Sequence, residues 1–278
     1  MKKTLLLILT TVFILLLLGA CSKGKGEKVK IGVTGSDGQY WDIIKEKAAN
    51  EGIEIELVEF SDYTIPNKAL ADGEIDLNAF QHIAFLNEFK KEHHLDITPL
   101  GTTQIAPMGM YSEKFTSPDD IPDGAEIAIP DDPTNQARAL KLLESAGLIE
   151  LKADFEILGD MSGIANNPKQ IKITPIVAQQ TPRVLPDVAA SIINNGVAGQ
   201  AGFIPTEDAI YLEDPNTDAV KPYINIIAVR TEDVDNETYK KIIDIYHEDE
   251  VVEAIKKDTN GGSIVVNIPM KELKNIIK

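Results

Sequence analysis

Leu5 to Leu18 is an apolar run broken only by Thr10 and Thr11. At about 14 residues it is shorter than the roughly 20 that cross a relaxed bilayer. Lys2 and Lys3 precede it, and Leu18-Gly19-Ala20-Cys21 follows. Residues 1–20 therefore read as a signal peptide with a lipoprotein cleavage box, and Cys21 as the thiol that takes the lipid. The alternative is an ordinary signal peptide with an incidental cysteine. Ser22 to Lys28 contains no apolar residue, so 21–28 reads as the lipidated cysteine and a flexible tether. No later stretch is long and apolar enough to span a membrane.

Beyond the tether the periodicity alternates between two and three to four. Val29 to Val33 and Ile53 to Phe60 read as strands, and Tyr40 to Glu51 between them as a helix. A β-α-β opening implies a parallel pair with a helical crossover. Pro66 to Ala71 reads as a short helix, Ile75 to Phe80 as a strand and His82 to His94 as a helix. Ile97 to Tyr111 is extended and carries Gly101, Pro107 and Gly109, which suits a segment leaving one lobe for another. A second β-α pattern follows: Glu126 to Ile129 as a strand, then Gln136 to Ala146 as an amphipathic helix stopped by Gly147. Ile171 to Val177 and Val188 to Ile193 are further strands. Tyr223 to Val229 is a strand that could return to the first lobe, and Glu237 to Tyr246 and Val251 to Lys257 are helices. Periodicity leaves two α/β architectures open: two lobes joined by two crossing segments, or one doubly wound sheet.

Charge and cysteine usage narrow the function. The formal net charge is −17, and removing the leader with Lys2 and Lys3 makes it two units more negative. Such a surface repels phosphate backbones, so nucleic acid is not an expected partner. It also repels anionic lipid, so attachment is expected through acyl chains. With a single cysteine there is no intrachain disulfide, and the mature fold must rest on its core.

Motifs for catalysis or a cofactor are missing: there is no Gly-x-Ser-x-Gly elbow, no His-Glu-x-x-His and no phosphate-binding loop. Gly32, Gly35 and Gly38 form a glycine-rich turn without dinucleotide spacing. No enzyme activity, cofactor or metal is expected. His93 and His94 read as a solvated helix end rather than metal ligands, since adjacent helical residues diverge. His82 lies where a strand runs into a helix and is either a helix-start residue or a ligand contact. Arg138 sits one turn into the helix opened by Asp132-Pro133-Thr134-Asn135. It is either a carboxylate clamp at a helix N-terminus or the salt-bridge partner of Asp131 or Asp132. Tyr63 lies in the Ser61-to-Asn67 turn, where a large aromatic suggests a ligand or partner. Phe80, Phe85 and Tyr40 could be core or cleft wall.

Several of these segments resemble a known family. Phe60-Ser61-Asp62-Tyr63, Asn78-Ala79-Phe80-Gln81-His82, Pro130-x-Asp132-Pro133-Thr134-Asn135-x-Ala137-Arg138, Ala178-Gln179-Gln180-x-Pro182-Arg183 and Tyr223-Ile224-Asn225-Ile226 are similar to the NlpA/MetQ lipoproteins, the substrate-binding components of methionine-type ABC importers. The resemblance runs through essentially the whole mature chain. It implies a type-II periplasmic-binding-protein fold, with lobe 1 at 29–108 and 222–278 and lobe 2 at 109–221. It also implies an extracytoplasmic, membrane-anchored monomer that delivers a small ligand from an interlobe cleft to a permease and its ATPase. On that basis Arg138 would clamp the α-carboxylate. Tyr63, Phe80, His82 and Phe85 would line the side-chain pocket, and Asn225 with Asn194 or Asn195 would bond the polar end. Phe85 and Gly196 depart from the methionine-specific pattern, where a tyrosine and a second asparagine are frequent. The Asn194-Asn195-Gly196 form resembles the branch associated with methionine dipeptides such as glycylmethionine. A surface-interaction or adhesin lipoprotein without a small ligand is the alternative function.

Overall fold

The computed structural model describes residues 26–35 and 38–276. The leader, Cys21 and most of the tether lie outside the described residues, as do Ser36 and Asp37 of the glycine-rich turn. Among the described residues no helix is long and apolar enough to cross a membrane.

The chain opens with β1 (Glu27–Val33), α1 (Gln39–Asn50) and β2 (Ile53–Glu59), then α2 (Pro66–Ala71), β3 (Leu77–His82), α3 (Ile83–His93), β4 (Ile97–Thr102) and β5 (Gln104–Ile105). It continues through β6 (Gly109–Tyr111), β7 (Glu126–Pro130), α4 (Pro133–Ser145), β8 (Glu150–Leu151), β9 (Ile164–Asn166), β10 (Lys172–Ile176), β11 (Ala190–Ile193), α5 (Asn195–Gln200), α6 (Pro205–Asp208) and β12 (Tyr211–Leu212). It closes with β13 (Asn225–Arg230), α7 (Glu237–Tyr246), α8 (Asp249–Asp258), β14 (Ile264–Val265) and α9 (Met270–Ile276).

Two five-stranded sheets form, ordered β2-β1-β3-β13-β4 and β10-β7-β11-β6-β12. Of the two architectures that periodicity left open, the two-lobed one is realised. β1 runs parallel to β2 and to β3, as a helical crossover demands. β13 runs antiparallel to β3 and β4, and β6 antiparallel to β11 and β12. Each sheet thus contains one reversed strand, and each reversed strand begins just after a passage between the lobes. The first passage runs through 103–108, where β5 is pinned by β14. The second runs through 213–224.

Both sheets are covered on both faces, which explains their apolar strands. On the first sheet Val29, Ile31, Trp41, Ile44 and Ile242 pack on one side, with Leu70, Ile83, Leu86 and Leu273 on the other. In the second lobe Ile127, Ile129, Leu140 and Leu143 pack between the sheet and α4. Beyond the opposite face lie Tyr111, Leu185, Ile193 and Val197.

Element boundaries follow local chemistry. The strand read from Ile75 begins at Leu77, because the Ile75 carbonyl accepts from Arg230 Nη1 at 2.8 Å. The strand read from Tyr223 begins at Asn225, because 218–223 is a 3-10 turn. α3 ends at His94, which adopts a left-handed φ of 56° and is exposed. The hairpin of β8 and β9, the helices α5 and α9, and the pairing of β5 with β14 carried no readable periodicity.

Candidate functional site

A cleft of about 490 Å³ opens between the lobes, in the size range of small-molecule sites. Tyr63, Phe80, His82, Phe85, Arg138, Asn194, Asn195 and Asn225 all line it. Eight residues spread over 163 positions of sequence meet there because the end of β3, the starts of α3, α4, α5 and β13, and the turn before α2 face the same crevice.

One wall is aromatic. The rings of Tyr63, Phe80 and Phe85 form a triangle with centroids 5.9–6.0 Å apart, mostly edge-to-face. Phe85 also stacks on Phe89 at 5.6 Å. Burial raises the Tyr63 hydroxyl well above the ordinary phenol range. Beneath this wall Asn67, Asn78 and Gln81 are buried and bond one another through their amides at 2.6–2.9 Å. That closed network locks the end of β3, from which Phe80 and His82 project.

His82 fills the helix-start role and also lines the cleft. Its Nδ1 caps α3 by accepting the Phe85 N–H at 3.1 Å, so the ring proton sits on Nε2. Nε2–H reaches Asn135 Oδ1, on the other lobe, at 3.3 Å. Burial, and then the nearby Arg138 charge, push the imidazole down to about 3 against the smaller opposing effect of the Asn135 bond. The ring is therefore neutral at physiological pH.

The polar wall is oriented by a chain of amides anchored on Asp132. Asp132 caps α4 by accepting from the Asn135 N–H at 3.0 Å. It also accepts from the Thr134 hydroxyl and from Asn135 Nδ2. Burial raises the Asp132 pKa, and these hydrogen bonds oppose the rise. Since Asp132 only accepts, Asn135 must turn its nitrogen toward it and its oxygen into the cleft. That oxygen receives Asn194 Nδ2 at 2.7 Å. Asn194 Oδ1 is then left buried with no hydrogen-bond partner among the described residues. Asn195 donates to the Pro107 carbonyl at 3.2 Å, which ties α5 to the first passage.

Arg138 is buried, and its salt-bridge partner is neither Asp131 nor Asp132 but Glu213, 75 residues further on. Nε donates to Glu213 Oε1 at 3.0 Å, and Nη2 donates to Glu213 Oε2 and to the Ala106 carbonyl. Of the five guanidinium N–H groups, these bonds occupy three and leave the two on Nη1. The Tyr223 ring lies 4.5 Å from the guanidinium carbon. Burial pulls the Arg138 pKa down, but the Glu213 carboxylate more than offsets it, and the net shift is upward.

Glu213, Tyr223 and Asn135 were not singled out in the sequence. Asn135 lies in the Asp132-to-Asn135 helix start, and its place three residues after the capping Asp132 was the available signal. Tyr223 lies in the Tyr223-to-Ile226 segment that carries the family resemblance, but nothing local ties it or Glu213 to Arg138, because that partner is remote in sequence. Two hydrogen bonds close the cleft at its edges: Gln200 Nε2 to the Thr34 carbonyl at 2.6 Å, and Asn260 Nδ2 to Glu207 Oε1 at 2.7 Å. Gly35, at φ +95°, belongs to the first contact, since a Cβ there would strike the Gln200 amide.

Two lobes, two passages and a cleft lined by an aromatic box and oriented amides define the class of two-lobed substrate-binding proteins. The NlpA lipoprotein family model matches residues 29–267, and the chain belongs to that family. It is 39% identical over 249 residues to the D-methionine-binding lipoprotein MetQ of Escherichia coli K12, covering 87% of this chain and 90% of that protein. Among solved structures it is similar to protein PG110 from Staphylococcus aureus, with a TM-score of 0.87 at 51% identity, covering 90% and 98% of the two chains. It is also similar to a nutrient-binding protein from Burkholderia cenocepacia bound to methionine, with a TM-score of 0.80 at 42% identity, covering 85% and 99%.

Proposed function

We propose that this protein captures L-methionine, or a short methionine-containing peptide such as glycylmethionine, and hands it to an ABC permease and its ATPase. In this reading Cys21 carries the lipid that holds the receptor on the outer face of the membrane. A single chain suffices, since the cleft is complete within it. Lobe 1 comprises 29–108 and 222–278 and lobe 2 comprises 109–221, a division supported by the membership of the two sheets.

The observation that carries the reading is the pairing of unmet hydrogen-bond capacity in one cleft. Arg138 Nη1 retains two N–H donors for a carboxylate, and Asn194 Oδ1 is a buried acceptor suited to an ammonium or amide N–H. Tyr63, Phe80, His82 and Phe85 offer aromatic edges to a thioether, each contact worth about 0.3–1.5 kcal/mol. Asn225 and Asn195 complete the polar end. The names of the relatives support methionine as the side chain. Open space over Gly196, where a Cβ would meet nothing within 4 Å, supports a ligand longer than the free amino acid. Phe85, without a hydroxyl, supports the same extension.

Calorimetry with L-methionine and glycylmethionine tests the reading. At least one should bind tightly, with glycylmethionine the tighter. Arg138→Ala should weaken the preferred ligand by about thirtyfold to several thousandfold, from roughly 2–5 kcal/mol for an unpaired buried carboxylate. Near-normal affinity in a folded Arg138→Ala would remove the clamp role, and tighter binding of free methionine would remove the dipeptide preference.

A further inference from the structure

We infer that Glu213 sets the charge class of the ligand: by neutralising Arg138 from behind, it makes the cleft a receptor for net-neutral zwitterions and closes it to anions that carry the same side chain and carboxylate. The inference rests on the proposed function and assigns a role to a residue that does not itself line the cleft.

An arginine offered to a carboxylate ordinarily presents its fork, two parallel N–H bonds from adjacent nitrogens. Here the Nε/Nη2 edge is already engaged by Glu213, and Nη2 spends its second proton on Ala106. A ligand carboxylate meets Nη1 alone, on a guanidinium whose charge is already balanced. Among the described residues lining the cleft, Arg138 is the one cation and Asp258 the one carboxylate, with His82 held neutral by its burial. With Glu213 and Asp132 behind the wall, the site carries no surplus positive charge. A ligand bringing a carboxylate must therefore bring its own cation, and the unpaired Asn194 Oδ1 is an acceptor for it. A net anion would leave uncompensated charge in a buried cleft, where such charge is expensive.

Glu213 also positions. Its Oε2 accepts the Met108 N–H at 3.2 Å, so one carboxylate joins Arg138, the first passage at Met108 and the second passage at its own backbone. Loss of the carboxylate therefore affects affinity as well as selectivity, and only selectivity distinguishes charge balancing from scaffolding.

The experiment pairs each zwitterion with its N-acetylated anion: L-methionine with N-acetyl-L-methionine, and glycylmethionine with N-acetylglycylmethionine. Affinities are measured calorimetrically on wild type, Glu213→Gln and Glu213→Asp, with thermal melts to confirm folding. Wild type should prefer the zwitterion by at least about thirtyfold. Glu213→Gln, an isostere that still accepts one Arg138 bond, should cut that preference at least tenfold. Glu213→Asp keeps the charge on a shorter stem and should retain the preference while weakening both ligands. If Glu213→Gln weakens zwitterion and anion equally, the charge role is overturned and the methionine reading stands. If Glu213→Gln does not fold, a wild type or Glu213→Asp that binds both members of a pair alike overturns it. A wild type that binds none of the four overturns the methionine reading and this inference together.

Discussion

His82 concentrates several constraints in one ring. It caps α3, bridges the lobes through Asn135 and forms part of the aromatic wall; the cap needs Nδ1 unprotonated and the bridge needs a proton on Nε2, which together fix the neutral tautomer. Its folded pKa of about 3 against an ordinary 6.5 makes stability depend on pH. Between these values the unfolded chain binds the extra proton, so the contribution is complete above 6.5 and is lost as pH falls toward 3. At about 1.4 kcal/mol per unit it amounts to a few kcal/mol. Urea unfolding of wild type and His82→Gln between pH 7 and 4 should show the variant losing less stability on acidification. The carboxylates common to both cancel in that comparison, so parallel curves would contradict the assignment.

Among the elements, α4 shows how sequence signals position a site. Asp132 caps it, Pro133 occupies its first turn without needing an N–H, and Gly147 terminates it at φ +76°. The Leu148 N–H returns to the Leu143 carbonyl, completing the left-handed C-terminal motif. Leu140 and Leu143 face the core, which turns the first turn of the helix, and Arg138 with it, toward the cleft. Gly147→Ala forces a Cβ into the left-handed region and should cost about 1–2 kcal/mol in urea unfolding. Ligand affinity should hardly change, because Arg138 lies two turns away and is held by Glu213. A variant as stable as wild type would mean that the helix end relaxes freely.

For the whole molecule, the cleft exists because the chain passes twice between two sheets, and closure is held by contacts at the cleft edges as well as by the His82–Asn135 bond. Gln200 to Thr34 and Asn260 to Glu207 are exposed hydrogen bonds that join the lobes. At about 0.5–1 kcal/mol each, removing both in Gln200→Ala/Asn260→Ala should weaken every ligand by a common factor of roughly five- to thirtyfold. Small-angle scattering of the ligand-free variant should give a larger radius of gyration than wild type. Unchanged affinity and radius would show that these bonds do not bias closure.

The helices α1 and α4, the parallel β1–β2 pair and the return of β13 were legible because each is written in local periodicity and capping residues. The eight cleft residues came partly from such signals and partly from family resemblance. Asp132 and Asn135 were readable as a helix start but not as the anchor of an amide chain that ends at an unpaired Asn194 oxygen. Whether the two α/β patterns would form one sheet or two depended on the antiparallel insertion of β6 and β13, a long-range pairing that period alone does not encode. Arg138 marks the division most clearly. By itself the sequence determined that a cation would stand at the start of a helix facing an anion. Only the tertiary structure decided that the first anion is Glu213, because an ion pair across 75 residues is selected by the crossing of two passages and not by any neighbour in the chain.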